Sequence, residues 1–282
     1  MMRYGFILPG GDVWTLPEMA VEAEAAGWDG VFIADCISID TSDYLPGPCY
    51  DPWILLALMA ARTKRVILGP MVAAISRRRP WKLARETMTL DHLSQGRIVL
   101  PVGLGAARDD AGFYKVREEM SLRGRAVLMD ECLDILNGAW SGEPFSHDGD
   151  HYHVQRMKLL PPSFQRPRIP VWPIGVWPRE KSMQRVLRWD GIVPQKKDGS
   201  DTQMTPNDIR AIKVYVEANR KLTTPFDIPW EGETPGDDPE RAAAIVRPWM
   251  DAGITWWMEA RWNTTNLEEV RERIRQGPPR VV

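Results

Sequence analysis

The feature that most constrains this chain is an alternation. A short apolar run is followed by a longer amphipathic segment, and the pair recurs from the first residues to the last. A strand buried on both faces reads as a continuous apolar run, whereas a helix lying on a sheet reads at a 3.6-residue period. Strict alternation of the two is the pattern of a parallel sheet wrapped by helices. Tyr4 to Leu8 reads as a first strand. Thr15 and Glu18 have the spacing of a capping box for a helix facing inward through Leu16, Met19, Ala20 and Ala23, and Gly27 ends it. Val31 to Ala34 is a second strand. Asp51-Pro52 then supplies an N-cap and an N1 proline for a helix whose face is Ile54, Ala57, Leu58 and Ala61. Val66 to Val72 is a third strand, Pro80 opens the next helix, and Arg97 to Val102 is a fourth strand. Leu128, Cys132, Ile135, Leu136 and Ala139 mark one face of a helix from about Arg125 to Ala139.

Between Ser141 and Pro170 the rhythm breaks into Pro, His, Asp and Gly, and the alternation His151 to Val154 predicts a hairpin there. Residues 141–170 therefore read as an insertion. Ile169 to Ile174, Gly191 to Val193, Phe226 to Trp230 and Ile254 to Met258 supply strands five to eight, with Phe226 to Trp230 the least patterned. Helices start after them at Arg179, Thr205-Pro206, Asp238-Pro239 and Asn266. Eight βα units in 282 residues predict the α/β class, as a single (β/α)8 TIM barrel over residues 1–282 with the insertion near strand five. The competing doubly wound sheet needs a phosphate-binding turn after strand one, and Pro9-Gly10-Gly11-Asp12 lacks the third spaced glycine.

Composition narrows what such a barrel does. Net charge is −2 and basic residues are interspersed with acidic ones, so no field of one sign is set up for nucleic acid or an anionic membrane. A small-molecule substrate is the partner that remains. Cys36, Cys49 and Cys132 are an odd set without paired spacing, which argues against a disulfide framework or a thiolate zinc site. His151 and His153 form an H-x-H pair, but in the hairpin rather than after strand one, so no metal is expected. With no charged leader before a long apolar stretch and no apolar run of spanning length, a cytoplasmic location is expected.

Several blocks resemble the bacterial luciferase-like monooxygenase superfamily, and they occur in its order. They are Ala25 to Phe32 (AAGWDGVF), Ala61 to Gly69 (ARTKRVILG), Pro80 to Arg85, Thr89 to Arg97 (TLDHLSQGR) and Val102 to Gly105. Arg125 ahead of Glu131, Pro161-Pro162 before Gln165-Arg166-Pro167, and Asp190-Gly191 continue the likeness, which runs from residue 3 to about 194. The resemblance implies a flavin-type oxidoreductase. Reduced FMN (FMNH2), delivered by a separate flavin reductase, would drive oxygen-dependent oxidation of a small organic substrate. The alternative cofactor is the deazaflavin coenzyme F-420, used for hydride transfer, and a third reading is a non-catalytic flavin-binding barrel. The resemblance also implies that the chain forms a homodimer, as family members often do.

In a barrel, ligands sit beyond the C-terminal ends of the strands, which selects the candidate residues. Asp35 and Cys36 follow strand two; the family commonly has a catalytic histidine at the second of these places, and a thiol of ordinary pKa is a poorer neutral-pH acid–base group. Either Asp35 takes the catalytic role, or Cys36 packs as a small apolar group and Asp35 caps the loop. The resemblance places a non-prolyl cis peptide at Met71-Val72, supporting one face of the cofactor ring. Arg77, Arg78 and Arg79 follow, as a solvated loop or an anion clamp, and Arg79 stands where the family often has histidine. Gly103 and Leu104 offer close backbone approach after strand four. Gly175, Val176 and Trp177 precede a helix whose N-terminal N–H groups would hold the cofactor phosphate, with Arg125 as its charged partner or, equally, as a structural ion pair near Glu131. Lys196, Lys197, Glu259, Arg261 and Trp262 are candidates for the substrate mouth. Asp109 and Glu231 would be the carboxylates of a glycosidase, the reading furthest from the family. The thirteen tryptophans suit an aromatic ligand wall as well as a core.

Overall fold

The computed structural model describes residues 2–37, 50–105, 113–196, 204–262, 264 and 266–281. Its strands are β1 (Arg3–Leu8), β2 (Gly30–Ile33), β3 (Ile67–Pro70), β4 (Ala73–Ala74), β5 (Leu100–Gly103), β6 (Phe145–Asp148), β7 (His153–Met157), β8 (Val171–Trp177), β9 (Val193–Lys196), β10 (Pro229–Gly232) and β11 (Trp256–Ala260). The helices are α1 (Thr15–Ala26), α2 (Pro52–Arg62), α3 (Pro80–Ser94), α4 (Leu122–Ser141), α5 (Glu180–Val186), α6 (Pro206–Asn219), α7 (Pro239–Ala252) and α8 (Leu267–Arg275). Two parallel sheets, ordered β10-β11-β1-β2-β3 and β4-β5-β8-β9, make up the wall. They are joined at both seams. The N–H of Leu68 donates to the carbonyl of Arg97 at 2.7 Å and the N–H of Val99 to that of Leu68 at 3.0 Å. On the far side Ile192 donates to Asp227 at 2.9 Å and Asp227 to Asp190 at 3.0 Å. These bonds close the ring, so the fold is the expected (β/α)8 barrel, with β3 and β4 acting as two parts of one barrel strand.

The barrel interior is an aromatic plug. Phe32 stacks on Trp172 at 6.1 Å, Trp256 meets both edge-on, and all three are essentially inaccessible. Glycines on the neighbouring strands make the room: a Cβ on Gly69 would sit 2.6 Å from the Val99 carbonyl oxygen and 3.2 Å from the Phe32 ring. Outside the strands, the TLDHLSQGR block is a structural lock. Arg97 donates to the backbone carbonyls of Ala60, Thr63 and Val66 at 2.9–3.0 Å, and buried Asp91 accepts the backbone and side-chain amides of Gln165 at 2.9 and 2.8 Å. The β6–β7 hairpin is antiparallel and lies within 141–170. It is fastened by Glu131 of α4, which accepts the backbone N–H of Tyr152 at 2.8 Å and of His151 at 3.1 Å.

Several local expectations shift. Asp12, rather than Thr15, caps α1, accepting the N–H groups of Trp14 and Thr15 at 2.8 and 2.9 Å, because its carboxylate reaches both from one turn earlier. The face of α2 is rotated: Trp53, Leu55, Leu56 and Met59 are buried while Ile54 is 73% exposed. The seventh barrel strand is Pro229–Gly232, later than expected, since Asp227 is spent on the seam and Ile228 bonds Thr255 ahead of β11. The helix starts at Thr205-Pro206 and Asn266 and the helix end at Gly27 stand as read, and Thr205 and Asp208 in addition form a capping box. No helix among the described residues is long and apolar enough to cross a membrane.

Candidate active site

A cavity of about 190 Å³ opens at the C-terminal end of the barrel, between Met71 and Val72 on one side and the ends of β9, β10 and β11 on the other. Its wall is Val193, Pro194, Gln195, Pro229, Trp230, Glu231, Met258 and Trp262. Strand register explains which side chains face it. Glu231 lies opposite Met258, whose neighbours Trp256 and Ala260 belong to the interior cluster, whereas Trp257 and Glu259 point out toward the helices. Trp230, opposite Trp257, turns toward the helices and stacks on Trp249 of α7 at 4.3 Å. The Met71-Val72 peptide is cis.

A second group gathers beside the first, over β4 and β5. Asp35 is completely buried and accepts Arg77 Nη2 at 2.5 Å, Arg78 Nη2 at 2.7 Å and the Ala74 N–H at 3.3 Å. Arg77 and Arg78 are therefore neither a solvated loop nor a free clamp; they sit in the protein, only 11% and 15% exposed. The guanidiniums of Arg77 and Arg125 approach the Phe113 ring at 5.8 and 5.9 Å. Arg125 Nη1 donates to the carbonyls of Leu104 and Gly105 at 3.1 and 2.8 Å, so Leu104 serves through its carbonyl. Gly103 is small for packing, since a Cβ there would meet Ile174 Cδ1 at 2.6 Å. Burial lowers the pKa of Arg125 from its ordinary value, with Glu119 opposing.

The remaining candidates are dispersed. Arg125 does not pair with Glu131, whose carboxylate is spent on the hairpin. Burial opposes ionisation of Glu131, but the N–H groups of Tyr152 and His151 and the ring of His147 outweigh it and hold the carboxyl below its ordinary range. The Val176 N–H donates to Ser182 Oγ at 2.9 Å, Gly175 packs against Ile192, and Trp177 meets Tyr215 edge-on. The N–H expected to receive a phosphate there is thus already engaged, and α5 is a short helix with Glu180 in its first turn. Cys36 is half-buried, while Cys132 is buried and its thiol is pushed up to about 12. Of the mouth candidates only Trp262 lines the cavity. Glu259 is fully buried against Thr234 and Arg273, Arg261 donates to the Thr234 carbonyl at 2.9 Å, and Lys196 pairs with Asp208 at 3.0 Å. Lys197, Cys49 and Asp109 lie outside the described residues, and so does any distance between Asp109 and Glu231. His153 pairs with Asp148 on the exposed hairpin, and among the described residues no group of three or more His, Cys, Asp or Glu is placed to hold a metal.

Sequence reasoning missed Gln195, Trp230 and Met258 as cavity residues and placed Glu231 in another chemistry. A seventh strand set too early put Glu231 in a loop; with the register corrected, it is a carboxylate on the inward face of a barrel strand.

A closed parallel barrel with a largely apolar cavity at its strand ends is the TIM-barrel architecture, in which ligands sit at that end. The luciferase-like monooxygenase family model matches residues 7–276, and the chain belongs to that family of oxidoreductases. The match carries the likeness well past the point near residue 194 where it fades to the eye. Among curated relatives, the F420-dependent glucose-6-phosphate dehydrogenase of Nakamurella multipartita is 32% identical over 55% of this chain and 44% of its own. That of Amycolatopsis mediterranei is 27% identical over 94% of this chain and 77% of its own. The chain spans less than half the length of the first two relatives it matches, 44% and 34%. Of solved structures, monooxygenase RslO1 from Streptomyces bottropensis superposes with a TM-score of 0.79 at 16% identity, over 98% of this chain and 97% of its own.

Proposed function

We propose that this chain transfers hydride between a deazaflavin of the F-420 type and a small alcohol or carbonyl compound. The observation that carries the reading is the likeness to an F420-dependent dehydrogenase across 94% of this chain, which reverses the order of cofactors favoured by sequence alone. The bound cofactor would accept or donate the hydride; the protein's part is position, charge and exclusion of water.

The residues fit an anionic cofactor. Nε and Nη2 of Arg125 are buried without a hydrogen-bond partner among the described residues, as are Nε of Arg77 and of Arg78. Idle buried guanidinium N–H groups are costly, and an anionic oxygen would offset that cost. Among the described residues Asp35 is one carboxylate against two guanidiniums, an excess of positive charge that suits a phosphate. Arg125 is the residue to hold it. In this reading Met71 and Val72 would support a planar ring, Gly103, Leu104 and the Gly175 to Trp177 segment would be its surrounding wall, and the cavity that Met71 and Val72 line would receive the substrate.

Titrating the apo-protein with F-420 and with FMN, oxidised and reduced, tests this. Saturable F-420 binding, weakened at least about tenfold in Arg125→Met, is expected; no saturable binding to either cofactor ends the proposal. A second reading, oxidation of a small organic substrate by FMNH2 and oxygen with a separate reductase as partner, is favoured by Cys36 at the place of the family's histidine. Tighter binding of reduced FMN together with substrate-dependent oxygen uptake would select it.

A further inference from the structure

Glu231 is the titratable side chain of the cavity, and the fold makes little use of it. Its carboxyl has one hydrogen bond among the described residues, from Trp262 Nε1 to Oε2 at 3.3 Å. No ion pair among the described residues reaches it, and the described charges on the adjoining elements are engaged elsewhere. On β9, Lys196 is tied to Asp208; on β11, Glu259 faces Arg273; beyond β11, Arg261 donates to the Thr234 carbonyl. Across the cavity stand only Met71 and Val72, and Arg77 and Arg78 behind them are held by Asp35. Glu233, just beyond the end of β10, is exposed. A carboxyl set among Trp262, Met258 and prolines, and opening on the cavity, contributes nothing to packing that an apolar side chain would not do better.

We propose that Glu231 is the catalytic acid–base group of this site, exchanging a proton with the oxygen of the substrate. The inference rests on the hydride-transfer reading above. In the oxidative direction the substrate's O–H proton passes to a carboxylate oxygen of Glu231. The hydrogen on the adjacent carbon leaves with its electron pair to the oxidised deazaflavin, and the C=O double bond forms. In reduction the same proton returns to the carbonyl oxygen. The role is open because a thiol, Cys36, stands at the histidine's usual place, and because Asp35 already carries two guanidiniums. Although much of Glu231 is exposed to the cavity, crowding by protein atoms pushes its carboxyl above the ordinary range, with the Trp262 hydrogen bond opposing. A base so raised is better matched to neutral-pH proton transfer.

The test has two arms. In apo-protein, infrared difference titration assigns the carboxylic C=O band that Glu231→Gln abolishes; it is expected to titrate above the ordinary value of about 4.3. In F-420-loaded protein, a panel of small secondary alcohols with 2-propanol as the reference probe is oxidised across pH. Glu231→Gln is expected to lower kcat/KM by about 10²–10⁴-fold, flatten the limb that follows the infrared titration, and leave the F-420 titration unchanged. A band in the ordinary range, a variant that keeps rate and limb, or loaded protein that oxidises none of the panel overturns the proposal. Failure of F-420 to bind at all overturns the function reading beneath it instead, and the proposal with it.

Discussion

Asp35→Asn separates a structural carboxylate from a catalytic one. Asn keeps the shape and one acceptor oxygen, which serves either the two guanidiniums that share Oδ1 or the Ala74 N–H that uses Oδ2, and the charge that balances Arg77 and Arg78 is lost. Both guanidiniums are then left in the protein, beside the equally buried Arg125, with no counter-charge among the described residues. Removing one partner of a buried pair costs about 3–5 kcal/mol, and the surviving hydrogen bonds set the expectation at the lower end, about 3 kcal/mol. For a domain of this size each kcal/mol moves the melting midpoint by about 2–4 °C, giving a fall of about 6–12 °C. Circular dichroism melts of the two proteins read it, with added sulfate or phosphate restoring part of the loss as the anion takes up the idle guanidiniums. A midpoint within about 2 °C of the parent, which is under 1 kcal/mol on the same scale, together with collapsed turnover would refute the reasoning. Asp35 would then be a reacting group and its ion pairs incidental.

Other perturbations probe other parts of the fold. Glu131 holds the hairpin with a carboxyl kept below its ordinary range, so its contribution is full above the unfolded-state pKa and is lost as pH falls through the lower folded value. Limited proteolysis should cut the β6–β7 hairpin only in acid in the parent and at neutral pH in Glu131→Gln; a variant as resistant as the parent would contradict the anchor. Glu231 is displaced the other way, so stability falls as pH rises from the unfolded to the raised folded pKa, and Glu231→Gln should melt higher than the parent above that window. Trp262→Phe removes the hydrogen bond that opposes the rise, so the infrared midpoint of Glu231 should move further up; a downward move would refute the contact. Gly69→Ala drives a methyl to 2.6 Å from the Val99 carbonyl at the β3–β5 seam and should destabilise by about 1–3 kcal/mol in urea melts.

What the sequence yields and what it withholds divide along a physical line. The eight units were legible because burial imposes periodicity locally: each apolar run and each capping pair, such as Thr205 with Asp208, is decided by residues within a few positions of one another. Phase is less local. The face of α2 turned by one position because Trp53 and Leu56, not Ile54, meet the barrel, and alternatives of similar hydrophobicity are separated only by tertiary packing. The site is less legible still, since its groups join loops far apart in the chain. That Asp35 pairs with Arg77 and Arg78, 42 and 43 residues away, is invisible in either stretch alone. The seventh strand shows how one such error spreads. A side chain's direction in a strand alternates residue by residue, so moving that strand's start carried Glu231 from loop to barrel interior. Ranking candidate residues in a barrel therefore depends on strand register before it depends on residue type, and register here is set by the Asp190–Asp227–Ile192 seam, whose bonds leave Glu231 no outward-facing position to occupy.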